Sequence, residues 1–242
     1  FLIGGDTIEE ITRGYRDLTG YPSIPPLWSF GVWMSRMTYF SANEVQGICD
    51  RLRSEHYPCD VIHLDTGWFE TDWLCEWKFN KERFPDPEGF IRGLLKQGFK
   101  TSLWQLPYVA EGAEQIDEAK ANDYIAPLTK QQEREGSNFS TLDYAGTIDF
   151  TYPAATEWYK VLLKRLLEMG VKCIKTDFGE NIHMDAVYKN MSPEQLNNLY
   201  ALLYQKAAYE ITKEVTGDGI IWASAAWAGC QRYPLHWGGD SC

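Results

Sequence analysis

The run Lys175-Thr176-Asp177-Phe178-Gly179-Glu180 puts an ammonium and a carboxylate two positions apart, directly after the mostly apolar Val171-Lys172-Cys173-Ile174. Alternate side chains of an extended segment share a face, so Lys175 and Asp177 stand on one side of a strand, about 7 Å apart along it. A carboxylate at the end of a buried strand is costly without partners, which makes Asp177 a candidate for chemistry. A second candidate, Asp240, lies in His236-Trp237-Gly238-Gly239-Asp240-Ser241. Two carboxyl groups delivered by separate loops, in a chain with 14% aromatic residues, suit the cleavage of a glycosidic bond. A retaining reaction needs one as nucleophile and one as acid and base, roughly 5–5.5 Å apart. Plainer readings stand beside these: Asp177 as the ion-pair partner of Lys175, and Asp240 as a turn residue after two glycines. Lys175 could also act as a Schiff-base lysine, although a carboxylate beside it favours the ammonium over the free amine.

Asp65 ends His63-Leu64-Asp65 and precedes Thr66-Gly67-Trp68-Phe69. It can accept hydrogen bonds from sugar hydroxyls or cap a loop. Trp104 shares a strand face with Ser102 and Leu106. Trp33, Trp68, Trp73, Trp77, Trp227 and Trp237 also fall near expected strand ends or loops. Their amphipathic rings suit the apolar faces of sugars, and about two or three of these tryptophans are expected to touch a ligand.

Alternating strands and helices must position these residues. Ser29–Ser35 reads as the first strand. A capping box at Ser41 and Glu44 opens a helix to about Glu55. Cys59–Thr66 is the second strand. Asp86 caps the next helix, with Pro87 at its first position and Gly98 after its end. Lys100–Pro107 is the third strand, followed by a polar excursion with a short helix near Glu114–Ala121. The helix Pro153–Met169 is stopped by Gly170, and Val171–Phe178 is the fourth strand. Ser192-Pro193-Glu194-Gln195 opens a long helix to Val215, before a fifth strand at Ile220–Ala225. This order predicts a parallel sheet with crossover helices. The unusual residues gather where strands end, which is the polarity of a (β/α)8 TIM barrel with its site on the C-terminal face. About five or six of the strands of such a barrel are visible, so the barrel is incomplete in this chain. An open doubly wound sheet would favour a Gly-rich turn after the first strand, and Met34-Ser35-Arg36-Met37 is not one.

The 34 acidic and 23 basic residues give a net charge of −11, which argues against nucleic acid or an anionic membrane as partner. No apolar run approaches a membrane span. Six cysteines without a C-x-x-C pair read as reduced thiols, so a cytoplasmic location is expected. The sequons Asn138-Phe139-Ser140 and Asn190-Met191-Ser192 weigh little for secretion, and Pro193 follows the second. The four histidines lack metal-ligand spacing, and neither a P-loop nor G-x-G-x-x-G occurs, so no metal or nucleotide cofactor is expected. The chain begins at Phe1 and reads as part of a longer protein.

In order along the chain, Leu18-Thr19-Gly20, Pro25-Pro26-Leu27-Trp28-Ser29-Phe30-Gly31, His63-Leu64-Asp65, Phe84-Pro85-Asp86-Pro87, the Lys175–Glu180 run and Gln231-Arg232-Tyr233-Pro234-Leu235-His236-Trp237-Gly238-Gly239-Asp240 resemble the catalytic barrel of glycoside hydrolase family 31. The segments Gly31-Val32-Trp33-Met34-Ser35-Arg36 and Asp65-Thr66-Gly67-Trp68 are most similar to the bacterial-type α-xylosidases of that family. The resemblance implies an exo-acting, retaining α-glycosidase without a cofactor, acting on a small oligosaccharide or glycoside that ends in α-xylose or α-glucose. It implies Asp177 as nucleophile and Asp240 as acid and base, with Asp65, Trp104, Lys175, Trp237 and His236 binding substrate. It further implies that residues 1–25 are a junction from a preceding β-sandwich domain. Residues 26–242 would then be the first βα units of the barrel, with an insertion near 110–150. A homo-oligomer is possible for the full-length protein. One departure stands out: the family has Arg-Ser where this chain has Ser224-Ala225. A single hydroxyl does not replace a planar five-donor fork, so a catalytically impaired, glycan-binding member is the alternative expectation.

Overall fold

The computed structural model describes residues 2–127 and 144–240. The Asn138 sequon, Cys242 and part of the polar excursion lie outside the described residues. The strands are β1 (Trp33–Arg36), β2 (Val61–Leu64), β3 (Lys100–Gln105), β4 (Tyr108–Ala110), β5 (Ile125–Pro127), β6 (Tyr144–Ile148), β7 (Cys173–Thr176) and β8 (Ile221–Ala223). Five of them form a parallel sheet in the order β1-β2-β3-β7-β8. The others make a small antiparallel sheet, β4-β6-β5, which is the polar excursion between β3 and β7. Beyond β8 the chain returns alongside it. Ile221 N donates to Pro234 O at 2.6 Å, Trp237 N donates to Ala223 O at 2.7 Å, and Ala223 pairs in parallel with His236.

The helices are α1 (Ile8–Thr19), α2 (Ala42–Ser54), α3 (Pro87–Lys96), α4 (Ile116–Ala121), α5 (Pro153–Glu168), α6 (Pro193–Leu196) and α7 (Tyr200–Thr216). Their starts follow local chemistry. Ser41 Oγ accepts from Glu44 N at 3.2 Å, and Asp86 Oδ1 accepts from Gly89 N at 2.9 Å behind Pro87. On the helix-facing side of the parallel sheet, Ile62, Leu64, Leu103, Ile174 and Ile221 join Val45, Ile91, Leu94, Leu163 and Ile211 in one core. Each fully buried aliphatic side chain there contributes about 1.5–3 kcal/mol. The opposite face of the same strands carries His63, Ser102 and Lys175, so burying the apolar row orients the site.

Two elements differ from the sequence reading. The first strand begins at Trp33, not Ser29, because Ser29 N closes on Pro26 O at 3.0 Å and winds Leu27–Phe30 into a 3₁₀ turn behind two prolines. The long helix from Pro193 is interrupted: α6 ends at Leu196 and α7 starts at Tyr200. Asn197 and Asn198 stand at the break with their side chains bonded to each other, an alternative that asparagine offers in competition with helix continuation. To α1 the sequence reading assigned no element. Thr7 caps this helix, and its residues Ile8, Ile11, Tyr15 and Leu18 remain exposed.

Candidate active site

Strand register collects the polar side chains. His63 lies beside Ser102 and Ser102 beside Cys173, while one pleat further along Trp104 lies beside Lys175 and Lys175 beside Trp222. The next level holds Asp177 and Ser224. Asp177 N donates to Gln105 O at 3.0 Å, and Ser224 N donates to Thr176 O at 3.1 Å, so the ladders continue past the strand ends. The period of two that predicted a shared face for Lys175 and Asp177 thus extends across four strands.

Donors surround the Asp177 carboxylate. Trp104 Nε1 donates to Oδ2 at 2.5 Å, and Lys175 Nζ stands 3.7 Å from the same oxygen. Oδ1 accepts from Phe178 N at 3.1 Å and from the Ser224 hydroxyl. The supports are themselves fixed. Trp68 Nε1 donates to Trp104 O at 2.9 Å. Tyr204 Oη, on α7, donates to Asp177 O at 3.2 Å and accepts from Gln105 Nε2 at 2.7 Å. Phe178 has φ 56° and Gly179 φ 87°, a reversal that turns the chain away right after the acid. At Gly179 an added Cβ would lie 3.0 Å from the Tyr204 ring, so glycine serves both the backbone angle and the close approach. The Asp177 side chain is 21% exposed, partly open to solvent above buried supports.

Below it, Lys175 bridges two acids. Its Nζ lies 3.4 Å from Asp65 Oδ2, and its side chain is 8% exposed. It also stands over the Trp222 and Trp237 rings, 5.0 and 5.2 Å from their centroids, within cation–π range. Asp65 Oδ2 meets His63 Nε2 at 3.0 Å, and Oδ1 accepts from Thr66 N at 3.0 Å. Asp65 therefore both caps its loop and belongs to the charged cluster. Burial holds the imidazole of His63 below its ordinary pKa. Burial pushes the Asp65 carboxyl up, but the His63 hydrogen bond, the Lys175 charge and the Thr66 amide outweigh it and hold the group below its usual value. A carboxylate only accepts, so His63 carries its proton on Nε2, and Nδ1 accepts from Ser102 Oγ at 3.0 Å.

This arrangement fixes a pH dependence. Folded His63 takes up a proton less readily than the unfolded chain, whose histidine binds one below about pH 6.5. Its contribution to stability is complete above that value and is lost as the pH falls below it, because the unfolded chain then binds more protons. The depressed Asp65 acts at lower pH, its contribution fading as the pH falls through its native value. The urea midpoint should drop between pH 7.5 and pH 5, and His63→Gln should shrink that drop. Equal drops in parent and variant would contradict the assignment.

The structure brings Asp65, Trp104, Lys175, Asp177 and Trp237 together. Trp104 is 1% exposed, so it supports Asp177 through its indole N–H rather than offering a ring to solvent. Trp68 and Trp77 are also buried, which leaves fewer rings for a ligand than the sequence allows. His236 turns its Nε2 to Cys230 O at 3.1 Å. Asp240 is exposed at the end of the described residues, just after Gly239 with φ 94°. Sequence reasoning passed over His63, Ser102, Trp222 and Ser224 as site residues. His63 was detectable two positions before Asp65; Trp222 and Ser224 needed the strand register. Among the described residues, no group of three or more His, Cys, Asp or Glu side chains could hold a metal ion. Cys49, Cys59, Cys75, Cys173 and Cys230 are buried free thiols.

Residues 22–242 match the model of the glycosyl hydrolases family 31 TIM-barrel domain. An alpha-xylosidase of Emericella nidulans is 35% identical over 249 residues, covering 99% of this chain and 31% of that protein. The alpha-xylosidase XylQ of Lactiplantibacillus pentosus is 38% identical over 233 residues, covering 92% and 30%. Among solved structures, a family 31 dextranase of Flavobacterium johnsoniae complexed with glucose aligns with a TM-score of 0.86 at 27% identity, over 98% of this chain and 30% of that one. The chain thus spans under a third of the length of these two curated relatives. The parallel sheet with its crossover helices, the ordered motifs and the family match together assign this chain to glycoside hydrolase family 31, within its TIM-barrel domain.

Proposed function

We propose that the full-length protein is an exo-acting, retaining α-glycosidase that removes a terminal α-xylosyl residue. The observation that carries this reading is the Asp177 carboxylate, oriented by Trp104, Phe178 and Ser224 beside Lys175 and left partly open to solvent. Asp177 attacks the anomeric carbon while Asp240 protonates the leaving oxygen. Asp240 then takes a proton from water as the water releases the sugar from Asp177. Glycoside and water become sugar and alcohol, and the chemistry requires no cofactor. With Asp65 and Asp177 ionised around one ammonium, the cluster carries one net negative charge, which suits an oxocarbenium-like transition state. Asp65 and Lys175 remain positioned to meet sugar hydroxyls.

Xylose is favoured over glucose because relatives at 35% and 38% identity are named alpha-xylosidases. The difference is one hydroxymethyl group, worth roughly 10–200-fold in a shaped pocket. The catalytically impaired reading has no support, since Ser224 donates to Asp177 and leaves its other donors in place. Buried free thiols support a reducing, cytoplasmic compartment. Comparing kcat/KM on aryl α-xyloside and α-glucoside tests the sugar, and NMR of the first-formed product tests the stereochemistry. We expect preference for the xyloside and release of α-xylose. Initial release of the β-anomer would reject the retaining mechanism, and preference for the glucoside would reject the xylosidase assignment.

A further inference from the structure

We propose that Ser224 is a positioning residue that selects which oxygen of Asp177 attacks the sugar, an inference that rests on the α-glycosidase reading above. A carboxylate oxygen has two in-plane acceptor positions. Oδ1 uses both, one for Phe178 N and one for the Ser224 hydroxyl. Among the described residues Oδ2 has a single hydrogen bond, from Trp104 Nε1 at 2.5 Å, because Lys175 Nζ at 3.7 Å is beyond hydrogen-bonding distance. Oδ2 is therefore the nucleophilic oxygen.

Ser224 can hold this distinction because its backbone is tied down. Its N–H bonds Thr176 O one step beyond the Thr176–Ala223 pair of β7 and β8. The hydroxyl thus reaches Asp177 from a neighbouring strand end, and it is partly shielded from solvent. Without it, each carboxylate oxygen has one close donor. The terminal torsion of an aspartate is broad and roughly two-fold, so with one hydrogen bond on each oxygen the carboxylate plane is held less firmly, and the Lys175 ammonium beside Oδ2 is left as the main difference between them.

The assignment follows both half-reactions. In the first, the Oδ2–carbon bond forms as the glycosidic bond breaks, and Asp240 gives its proton to the departing oxygen. Asp177 becomes an ester whose carbonyl oxygen is Oδ1, still accepting from Ser224 and Phe178. In the second, water attacks the anomeric carbon, Asp240 takes its proton, and the bonding pair returns to the carboxylate. The Ser224 hydroxyl then steadies the negative charge as it reforms.

Ser224→Ala and Ser224→Thr in the full-length protein test this by crystallography and by kinetics on an aryl α-xyloside. In Ser224→Ala we expect the carboxylate plane of Asp177 to turn relative to the parent. We expect kcat/KM, which reports the first step, to fall about tenfold, the scale of one hydrogen bond to a charged group. The thermal midpoint should fall only slightly, because Phe178 N and Trp104 Nε1 still bond the partly exposed carboxylate. Ser224→Thr keeps the hydroxyl and should restore both the plane and the rate. An alanine variant with parental carboxylate plane and rate would overturn the proposal. So would a threonine variant no better than alanine, because bulk rather than the hydroxyl would then matter. A parent enzyme that turns over neither aryl α-xyloside nor aryl α-glucoside would remove the glycosidase reading instead, while the crystal structures would still decide whether Ser224 sets the carboxylate plane.

Discussion

In the full-length protein, Asp177→Ala lowers kcat/KM on an aryl α-xyloside by at least about 10⁴-fold, the scale on which removing a covalent nucleophile abolishes the step it carries. The loss is chemical, because neither the alanine methyl nor any other group bonded to this carboxylate can form the glycosyl ester. Trp104, Phe178 and Ser224 are donors, and Lys175 is held by Asp65. Asp177→Asn should lose a comparable amount, since an amide keeps the shape and removes the negative charge. Alanine carries a further cost that asparagine avoids. The Trp104 indole N–H sits in a buried residue and loses its acceptor, a penalty of about 1–3 kcal/mol unless water enters. The space left by the carboxylate also offers a direct check. A small anion such as azide can enter from the side that Asp177 occupied and yield a glycosyl azide of inverted configuration. More than about 1% residual activity in Asp177→Ala, on the same scale of nucleophile loss, would show that another group attacks.

The parallel architecture was legible because its signals are local. Ser41 and Asp86 cap their helices as the sequence suggests, although Glu44 turns its carboxylate to Phe40 N and Arg36 and leaves the capping box half formed, and buried runs such as Val61–Leu64 and Cys173–Thr176 form strands inside the expected segments. What failed was equally physical. The prolines before Leu27 and the asparagine pair after Leu196 redirect the backbone through hydrogen bonds that an apolar pattern does not reveal. The helix Ile8–Thr19 carries local signals of its own, Thr7 with Glu10 three residues on and Ile8, Ile11, Tyr15 and Leu18 at helical spacing, but its apolar stripe stays exposed instead of joining the core.

At the candidate site, the legible part was the part that lies within single strands. Lys175 with Asp177, and Asp65 at the end of His63-Leu64-Asp65, follow from the period of two. The function of Trp104 did not, because its role comes from an indole N–H aimed at an acid 73 residues away. Ser224 was read as a loss relative to the family pattern. In the folded chain it is a donor to Asp177, a contact set by the β7–β8 register and invisible in either segment alone. Trp222 likewise enters the site because it pairs with Lys175.

Replacing Lys175 tests the cluster as a unit. Lys175→Met keeps most of the side-chain length and removes the one ammonium between Asp65 Oδ2 at 3.4 Å and Asp177 Oδ2 at 3.7 Å. Taking one partner from a buried ion pair typically costs 3–5 kcal/mol, but Asp65 and Asp177 keep 13% and 21% of their side-chain surface exposed and retain other donors. The expected loss is therefore smaller, about 2–3 kcal/mol, read from urea midpoints at pH 7.5. Activity should fall by roughly 10²–10³, as when a preorganised charge-stabilising donor is removed. The direction is not obvious from charge alone. Deleting a cation makes the site more negative, which by itself would favour an oxocarbenium-like transition state. Orientation decides the sign: without the ammonium, the two carboxylates repel across a short gap, and the geometry set by Trp104 and His63 is pulled apart. Lys175→Arg should not restore the parent, because the planar guanidinium is larger and the Trp222 and Trp237 rings stand only 5.0 and 5.2 Å from the ammonium. A methionine variant as stable as the parent and within tenfold of its rate would mean that Asp65 and Asp177 do not depend on the charge between them.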